Sequence, residues 1–263
     1  MLGYWAMRAL SWLLCHSPKF IRKMFAGLLG SIAWAATPVW RKTMAVENIK
    51  ECLGVPEERA KEIAEASVRR FGRMLVEVLR FPTLTPENFR KSVNIEGAEY
   101  LEAAYKQDKG VILCTGHYGN WELLGASVAL MGYPILSIAR KQNNSAMDTF
   151  INEYREITGQ KITYNRGENS MLAINRIIKD KKILGVLYDQ DTGADGIDVL
   201  FFGKQSMAPT GAALLSRIHG APMIPLFIHN EDDEKFTIKI YPPLYTKKTT
   251  DRVQDLRKPT EEL

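Results

Sequence analysis

The stretch GVILCTGHYGNWELLGASVALMG, residues 110–132, decides the fold because it joins two kinds of hydrophobic pattern at a glycine-rich turn. Residues 110–115 (GVILCT) form a short continuous apolar run, which is typical of a strand covered on both faces. Residues 120–131 predict a helix that begins at Asn120, a good N-cap residue, and is closed by Gly132. A buried strand followed at once by a helix indicates one unit of a parallel α/β sheet.

The same alternation continues on both sides of this stretch. Further strand patterns lie at residues 134–139, 160–165, 183–191, 222–229 and 235–243, and helical patterns lie at 145–158, 168–181 and 210–220. Upstream, residues 55–84 predict a long helix that begins near Pro56 and stops before Pro82. With 46% hydrophobic and 25% charged residues, the chain has enough apolar side chains for a substantial core. We therefore expect an α/β fold with a mostly parallel central sheet flanked by helices.

The N-terminal region differs from the rest in charge and in aromatic content. Residues 1–50 carry seven Lys or Arg and one Glu, interleaved with tryptophan and phenylalanine, while the remainder is close to neutral. Such a region favours a surface of anionic lipid over nucleic acid, because no nucleic-acid recognition motif accompanies the charge. We expect residues 1–45 to be an apolar helical membrane anchor, spanning or interfacial, and residues 46–263 to be the α/β domain.

The three cysteines give little functional information. Cys15, Cys52 and Cys114 have no metal-ligand spacing, and an odd, sparse set indicates a reducing compartment without a disulfide framework.

His117 and Glu122 are the best candidates for chemistry, although their spacing of five residues does not place them on one helix face. Glu122 falls in the first turn of the predicted helix, and His117 lies in the glycine turn before it. A glycine turn can fold the imidazole back, so that Glu122 holds one ring nitrogen and leaves the other free as a base. The alternative is that both residues only cap the helix.

Acidic residues end a second buried strand, at YDQD (188–191). Carboxylates at the carboxyl end of a strand bind metal or orient a cation or hydroxyl. We expect Asp189 to pair with an arginine; the alternative is that His117, Asp189 and Asp191 hold a metal, as in a metal-dependent phosphoesterase. No second histidine with ligand spacing supports the metal.

Three arginines recur between these strands: Arg140, Arg155 and Arg166. Each is a surface charge by default, but a cluster facing one site would bind phosphate groups through paired hydrogen bonds.

At this point the sequence resembles a known family. GHYGNWE (116–122) is similar to the His-x4-Asp/Glu signature of the lysophospholipid acyltransferase superfamily. The surrounding segments narrow the resemblance to the bacterial late acyltransferases of lipid A biosynthesis: Arg140, Asp148 and Arg155, then DQDTG (189–193), FFGKQSMAPTG (201–211) and RKTMAVENIKECLG (41–54). The resemblance covers essentially the whole chain.

The resemblance implies acyl transfer from a thioester, usually on acyl carrier protein, to a hydroxyl of a lipid A precursor. It places this reaction at the cytoplasmic face of the inner membrane, with no metal or other cofactor. His117 is then the general base and Glu122 its partner, while Arg155, Asp189 and, more weakly, Arg140 and Arg166 are expected to bind substrate. Another glycolipid, such as a phosphatidylinositol mannoside, is the alternative acceptor, and a non-catalytic membrane scaffold is a third possibility.

The end of the chain departs from the family pattern. Members of the family continue through a further aromatic-rich, basic helix, whereas this sequence ends in DRVQDLRKPTEEL (251–263). The expectation is that the C-terminal helix is truncated.

Overall fold

The computed structural model of the protein describes residues 2–164, 170–232 and 234–263. The helices of this part are α1 Leu2–His16, α2 Lys19–Ala36, α3 Val39–Leu53, α4 Glu57–Leu79, α5 Ala98–Tyr105, α6 Trp121–Leu130, α7 Ser145–Ile157, α8 Ser170–Lys179, α9 Gly211–His219 and α10 Arg252–Glu262. The strands are β1 Val93–Glu96, β2 Val111–Thr115, β3 Ile135–Ala139, β4 Lys161–Tyr164, β5 Ile183–Leu187, β6 Ile197–Phe201, β7 Lys204–Ala208, β8 Met223–Asn230 and β9 Phe236–Ile240.

The chain divides into two compact units, one of residues 1–83 with 201–204, and one of residues 84–200 with 205–263. Helices α1–α4 belong to the first unit. In it α2 and α4 approach so closely that side chains are excluded at the crossing. A Cβ atom on Gly72 would lie 2.4 Å from the backbone nitrogen of Gly30, so glycine is required at this contact.

The expected apolar membrane anchor at the N-terminus is wrong. Among the described residues, no helix is both long enough and apolar enough to cross a membrane. The physical reason is that the uncharged run at residues 25–40 does not form one helix. Helix α2 ends at Ala36, and α3 begins at Val39, because Pro38 interrupts the run.

The second unit contains a seven-stranded sheet in the order β1-β9-β8-β2-β5-β3-β4. Its strand pairs are parallel except for β8 with β9, which is antiparallel. Strands β6 and β7 form a separate two-stranded sheet. The expectation of a mostly parallel sheet flanked by helices is confirmed.

The centre of the sheet is formed by the continuous apolar runs that the sequence predicted to be buried strands. In β2 the first four residues are buried, and Ile183 and Leu184 of the neighbouring β5 are fully buried. The register pairs Val111 with Ile183 and Thr115 with Leu187. The two strands therefore end level, and the residues that follow them leave the sheet side by side.

Candidate active site

After the turn that follows β2, helix α6 begins where the sequence predicted, but Glu122 does not hold the His117 ring. Asn120 caps the helix, with its Oδ1 accepting a hydrogen bond of 2.9 Å from the backbone amide of Leu123. Glu122 lies in the first turn, where the helix dipole favours a carboxylate. The turn itself depends on Gly119, which has φ of 59°; a Cβ there would lie 2.0 Å from the carbonyl oxygen of Ile228. His117 is thus held on a fixed backbone.

His117 is paired with Asp189. Its ring Nδ1 lies 2.8 Å from Asp189 Oδ1, and its backbone amide donates to Asp189 Oδ2 at 2.7 Å. The pairing follows from the sheet register, because β2 and β5 are adjacent and parallel: two residues beyond Thr115 stands His117, and two beyond Leu187 stands Asp189. Sequence reasoning expected an arginine beside Asp189, and the structure places the imidazole there instead.

Gly116 makes room for this pairing. A Cβ on Gly116 would lie 3.0 Å from Asp189 Oδ2 and 3.1 Å from its Cγ, so a side chain would crowd the carboxylate. The pair is open to solvent, with the His117 side chain 35% exposed and the Asp189 side chain 31% exposed.

The charge state of Asp189 fixes the tautomer of His117. Burial alone would raise the pKa of the Asp189 carboxyl, but the hydrogen bonds from the His117 ring and backbone amide outweigh it and hold the pKa below its ordinary value. An ionised carboxylate only accepts hydrogen bonds, so the proton of the neutral imidazole belongs on Nδ1. The lone pair of Nε2 is then available to accept a proton.

Glu122 is paired with Arg155 of α7. The guanidinium group donates from Nε to Oε2 at 2.8 Å and from Nη2 to Oε1 at 2.5 Å, which makes the contact bidentate. Within the described residues no hydrogen bond joins His117 to Glu122. Arg155 stands in the last turn of its helix and Glu122 in the first turn of its own, so each charge lies where the helix dipole favours it.

Sequence reasoning missed the side chains that hold Arg155. Asn152 Oδ1 accepts from Arg155 Nη1 at 3.3 Å, and Asn152 Nδ2 lies 2.9 Å from the hydroxyl of Tyr164. That hydroxyl donates to Asp148 at 2.7 Å. Asn152 stands three residues before Arg155 on the same face of α7, a spacing that a helix reading of 145–158 could have used.

The other predicted residues lie apart from the two pairs. Arg140 is exposed directly after β3, where it lines a surface cleft with Lys141 and Met147. Asp191 accepts hydrogen bonds from the backbone of Gly193 and Met207, and its carboxylate therefore holds its own loop. Arg166, which was also predicted to bind substrate, lies outside the described residues.

The proposed metal ligands are not arranged as a metal site. Over residues 2–164, 170–232 and 234–263, no three His, Cys, Asp or Glu side chains converge as metal ligands would. His117 and Asp189 bind each other, and Asp191 is engaged by backbone amides.

A narrow, mostly apolar cavity opens beside the two pairs, between α6 and strands β2, β3 and β5; we refer to it as the α6 cavity. Its volume is ≈ 50 Å³. At the carboxyl edge of the sheet it is lined by Thr115, Trp121, Glu122, Arg155 and Leu187. Trp121 connects the cavity to the imidazole, because the rings of His117 and Trp121 meet edge to face at a centroid distance of 5.0 Å.

The His117–Asp189 pair, the partly buried Arg155–Glu122 pair and an apolar cavity thus share one edge of the sheet. The model of the bacterial lipid A biosynthesis acyltransferase family matches residues 1–261. The chain belongs to this family. The resemblance noted from the GHYGNWE turn is confirmed.

Individual relatives share 22% to 30% sequence identity with the chain, and their names refer to different acceptors. The chain is 25% identical over 203 residues to a phosphatidylinositol mannoside acyltransferase of Mycobacterium tuberculosis, covering 75% of this chain and 64% of the relative. It is 30% identical over 188 residues to the lipid A biosynthesis palmitoleoyltransferase of Escherichia coli K12, covering 70% and 60%. A lipid A biosynthesis acyltransferase of Haemophilus influenzae is 22% identical over 246 residues, covering 92% and 76%. The chain thus spans somewhat less than two thirds of the length of the first two relatives.

Proposed function

We propose that the protein is an O-acyltransferase that moves a fatty acyl chain from an acyl thioester to a hydroxyl of a lipid A precursor. The observation that carries the proposal is the His117–Asp189 pair beside the α6 cavity, in a chain of the lipid A acyltransferase family. A base for the hydroxyl and an apolar space for a chain are what this reaction needs.

His117 acts as the general base. Nε2 takes the proton of the acceptor hydroxyl as its oxygen attacks the thioester carbonyl; the C–O bond forms, the C–S bond breaks, and the proton passes to the departing thiolate. Asp189 keeps Nδ1 protonated and stabilises the imidazolium that forms in between. A positioned general base contributes about 10²–10⁴-fold to the rate.

Glu122 and Arg155 support the reaction from the wall of the cavity. Their bidentate contact joins the first turn of α6 to the last turn of α7. In this proposal the pair fixes the start of α6, and thereby Trp121 against the imidazole. Glu122 is a positioning residue in this scheme, and Arg155 presents a cation at the mouth of the cavity.

The donor and the place of reaction complete the proposal. The donor is an acyl thioester of acyl carrier protein or of coenzyme A, and the acceptor is a membrane lipid reached at the cytoplasmic face of the inner membrane. No metal or organic cofactor takes part. The exposed Arg140 and Lys141 after β3 are suited to anionic groups of either substrate.

A phosphatidylinositol mannoside is the second candidate acceptor. The observation that favours it is the 25% identity to the Mycobacterium tuberculosis enzyme over 75% of this chain. Both acceptors offer a sugar hydroxyl on an anionic glycolipid, so the chemistry at His117 is the same for each.

The test is mass spectrometry of each acceptor after incubation with the purified chain and acyl thioesters. We expect the mass of one acyl group to be added to the lipid A precursor, and no loss of turnover after treatment with a chelator. Turnover that needs a tightly bound metal favours a phosphoesterase. Absence of thioester consumption with either acceptor favours a scaffold and would refute the proposal.

A further inference from the structure

A buried amide, that of Gln160, crosses the α6 cavity at the level of Ser137. Gln160 precedes β4 and is 4% exposed, and its Nε2 donates to Ser137 Oγ at 2.7 Å. Its Oε1 is buried and has no hydrogen-bond partner among the described residues. A buried amide oxygen without a hydrogen-bond partner destabilises the fold, so the position of Gln160 calls for an explanation.

The Gln160 amide can lie against α6 because the residue of that helix at this point is a glycine. A Cβ on Gly125 of α6 would lie 2.7 Å from Gln160 Oε1 and 2.9 Å from its Cδ. The Gln160 amide therefore packs directly on the α6 backbone. It crosses from the sheet to the helix and blocks the space between them.

The sheet register shows that the cavity runs the length of the strands. The backbone of Gln160 stands level with Ile135, because Leu136 pairs with Lys161, and its side-chain amide reaches forward to the level of Ser137. Ser137 and Gly185 are paired two residues further along, and Leu187 lies at the carboxyl edge. Alternate residues of a strand face the same side, so these positions form one wall beneath α6. Five residues of a parallel strand cover about 13 Å.

From this geometry we infer that Gln160 is a specificity-determining residue that sets the longest acyl chain the α6 cavity accepts. The inference rests on the proposed function. A chain whose carbonyl lies at His117 extends past Trp121 toward the amino ends of the strands, and its methyl end meets the Gln160 amide. Methylene groups of a longer chain would meet the polar amide and would not be buried.

Because the cavity is narrow, the side chain that blocks it limits the length of the acyl chain that can bind. The cavity is small, at ≈ 50 Å³, and removing the Gln160 side chain would extend it. Each buried methylene contributes about 0.8 kcal/mol, which corresponds to about fourfold in the specificity constant.

The experiment compares chain-length profiles of kcat/KM for a series of saturated acyl thioesters. In Gln160→Ala the optimum should move to longer chains, and a thioester two methylenes longer than the original optimum should gain about fifteenfold relative to it. In Gly185→Ala the optimum should move to shorter chains, because the new methyl group lies 2.9 Å from Ser137 Oγ and narrows the channel at the level of the Gln160 amide.

Two control variants isolate the effect. Gln160→Met keeps the length of the side chain and should keep the original optimum. Ser127→Ala removes a buried hydroxyl that donates to the Leu123 carbonyl of its own helix and does not line the cavity, so its profile should match that of the parent chain. Equal profiles for Gln160→Ala, Gly185→Ala and the parent would overturn the inference.

Fatty-acid binding separates this inference from the proposed function. Thermal stabilisation of the parent and variant chains by free fatty acids of increasing length needs no turnover. If the parent transfers no acyl group but the longest stabilising fatty acid still shifts in Gln160→Ala, the proposed function fails and the assignment of Gln160 stands. If transfer occurs and neither profile shifts, Gln160 does not set the length.

Discussion

Two charged pairs lie at the same edge of the sheet, and they differ in how far water reaches them. The side chains of His117 and Asp189 are 35% and 31% exposed, whereas those of Arg155 and Glu122 are 17% and 13% exposed. The first pair joins a turn to a strand end, and the second joins the ends of two helices. A substrate can therefore reach the His117–Asp189 pair, whereas the Arg155–Glu122 pair holds the local structure.

Proximity along the chain therefore did not decide which acidic residue pairs with the His117 imidazole. Glu122 is five residues from His117, yet its two oxygens are occupied by one guanidinium group. Asp189 is 72 residues away, and it receives both N–H groups of His117. An exposed ion pair adds little stability, whereas a bidentate pair that is largely shielded from water costs more to break.

The largest effect on activity is expected when the solvent-accessible imidazole of His117 is removed. His117→Ala should lower the rate of acyl transfer by about 10²–10⁴-fold, because the acceptor hydroxyl loses its base. Its melting temperature should stay close to that of the parent, since the side chain is exposed. Initial rates and thermal melting measure both. His219→Gln is the matched control, because His219 lies at the end of α9 and bonds to Asn175. An undiminished rate in His117→Ala contradicts the assigned role.

The next effect is expected at Asp189. Asp189→Asn should lower kcat by about 10²-fold and leave KM nearly unchanged, because the residue acts through His117. An amide offers one acceptor oxygen, whereas His117 presents two N–H donors, so one of the two hydrogen bonds is lost. Steady-state kinetics provide the test, with Asp180→Asn, at an exposed position directly after α8, as control. A change in KM alone would show that Asp189 binds substrate instead.

A smaller effect, on stability, is expected for the less exposed pair. Glu122→Gln leaves the Arg155 guanidinium group partly buried without its counter-charge, and the free energy of unfolding should fall by about 1–3 kcal/mol, less than for a fully buried pair. Denaturant unfolding measures the change. The double variant Glu122→Gln/Arg155→Met should recover part of it. Full stability in Glu122→Gln combined with lost activity would instead indicate that Glu122 acts on the imidazole.

The smallest effect is expected in the pH dependence of stability. The pKa of Asp189 is lower in the folded chain than in the unfolded one, so its contribution to stability is present above the unfolded value and is lost as the pH falls through the folded value. The difference in free energy of unfolding between the parent and Asp189→Asn should therefore shrink as the solution becomes strongly acidic. Unfolding curves at a series of pH values test this sign, and a difference that grows in acid would reverse it.

Much of the fold followed from local patterns. The continuous apolar run of β2 and the helical periods of α6, α7 and α9 were predicted close to their observed bounds, whereas β5 ends at Leu187 and not at residue 191. Asn120 was recognised as a helix start because capping is a property of a few neighbouring residues. Strand β1 and helix α5 were not predicted, since four and eight residues carry too little periodicity.

The site was only half predictable. The sequence by itself determined that an imidazole stands in a glycine turn at the end of a buried strand, and that acids follow a second such strand. Only the tertiary structure decided that these strands are neighbours in register, which brings Asp189 to His117 and leaves Glu122 to Arg155. The physical reason is that caps and turns are settled within a few residues, whereas the order of strands in a sheet is settled by packing over the whole domain.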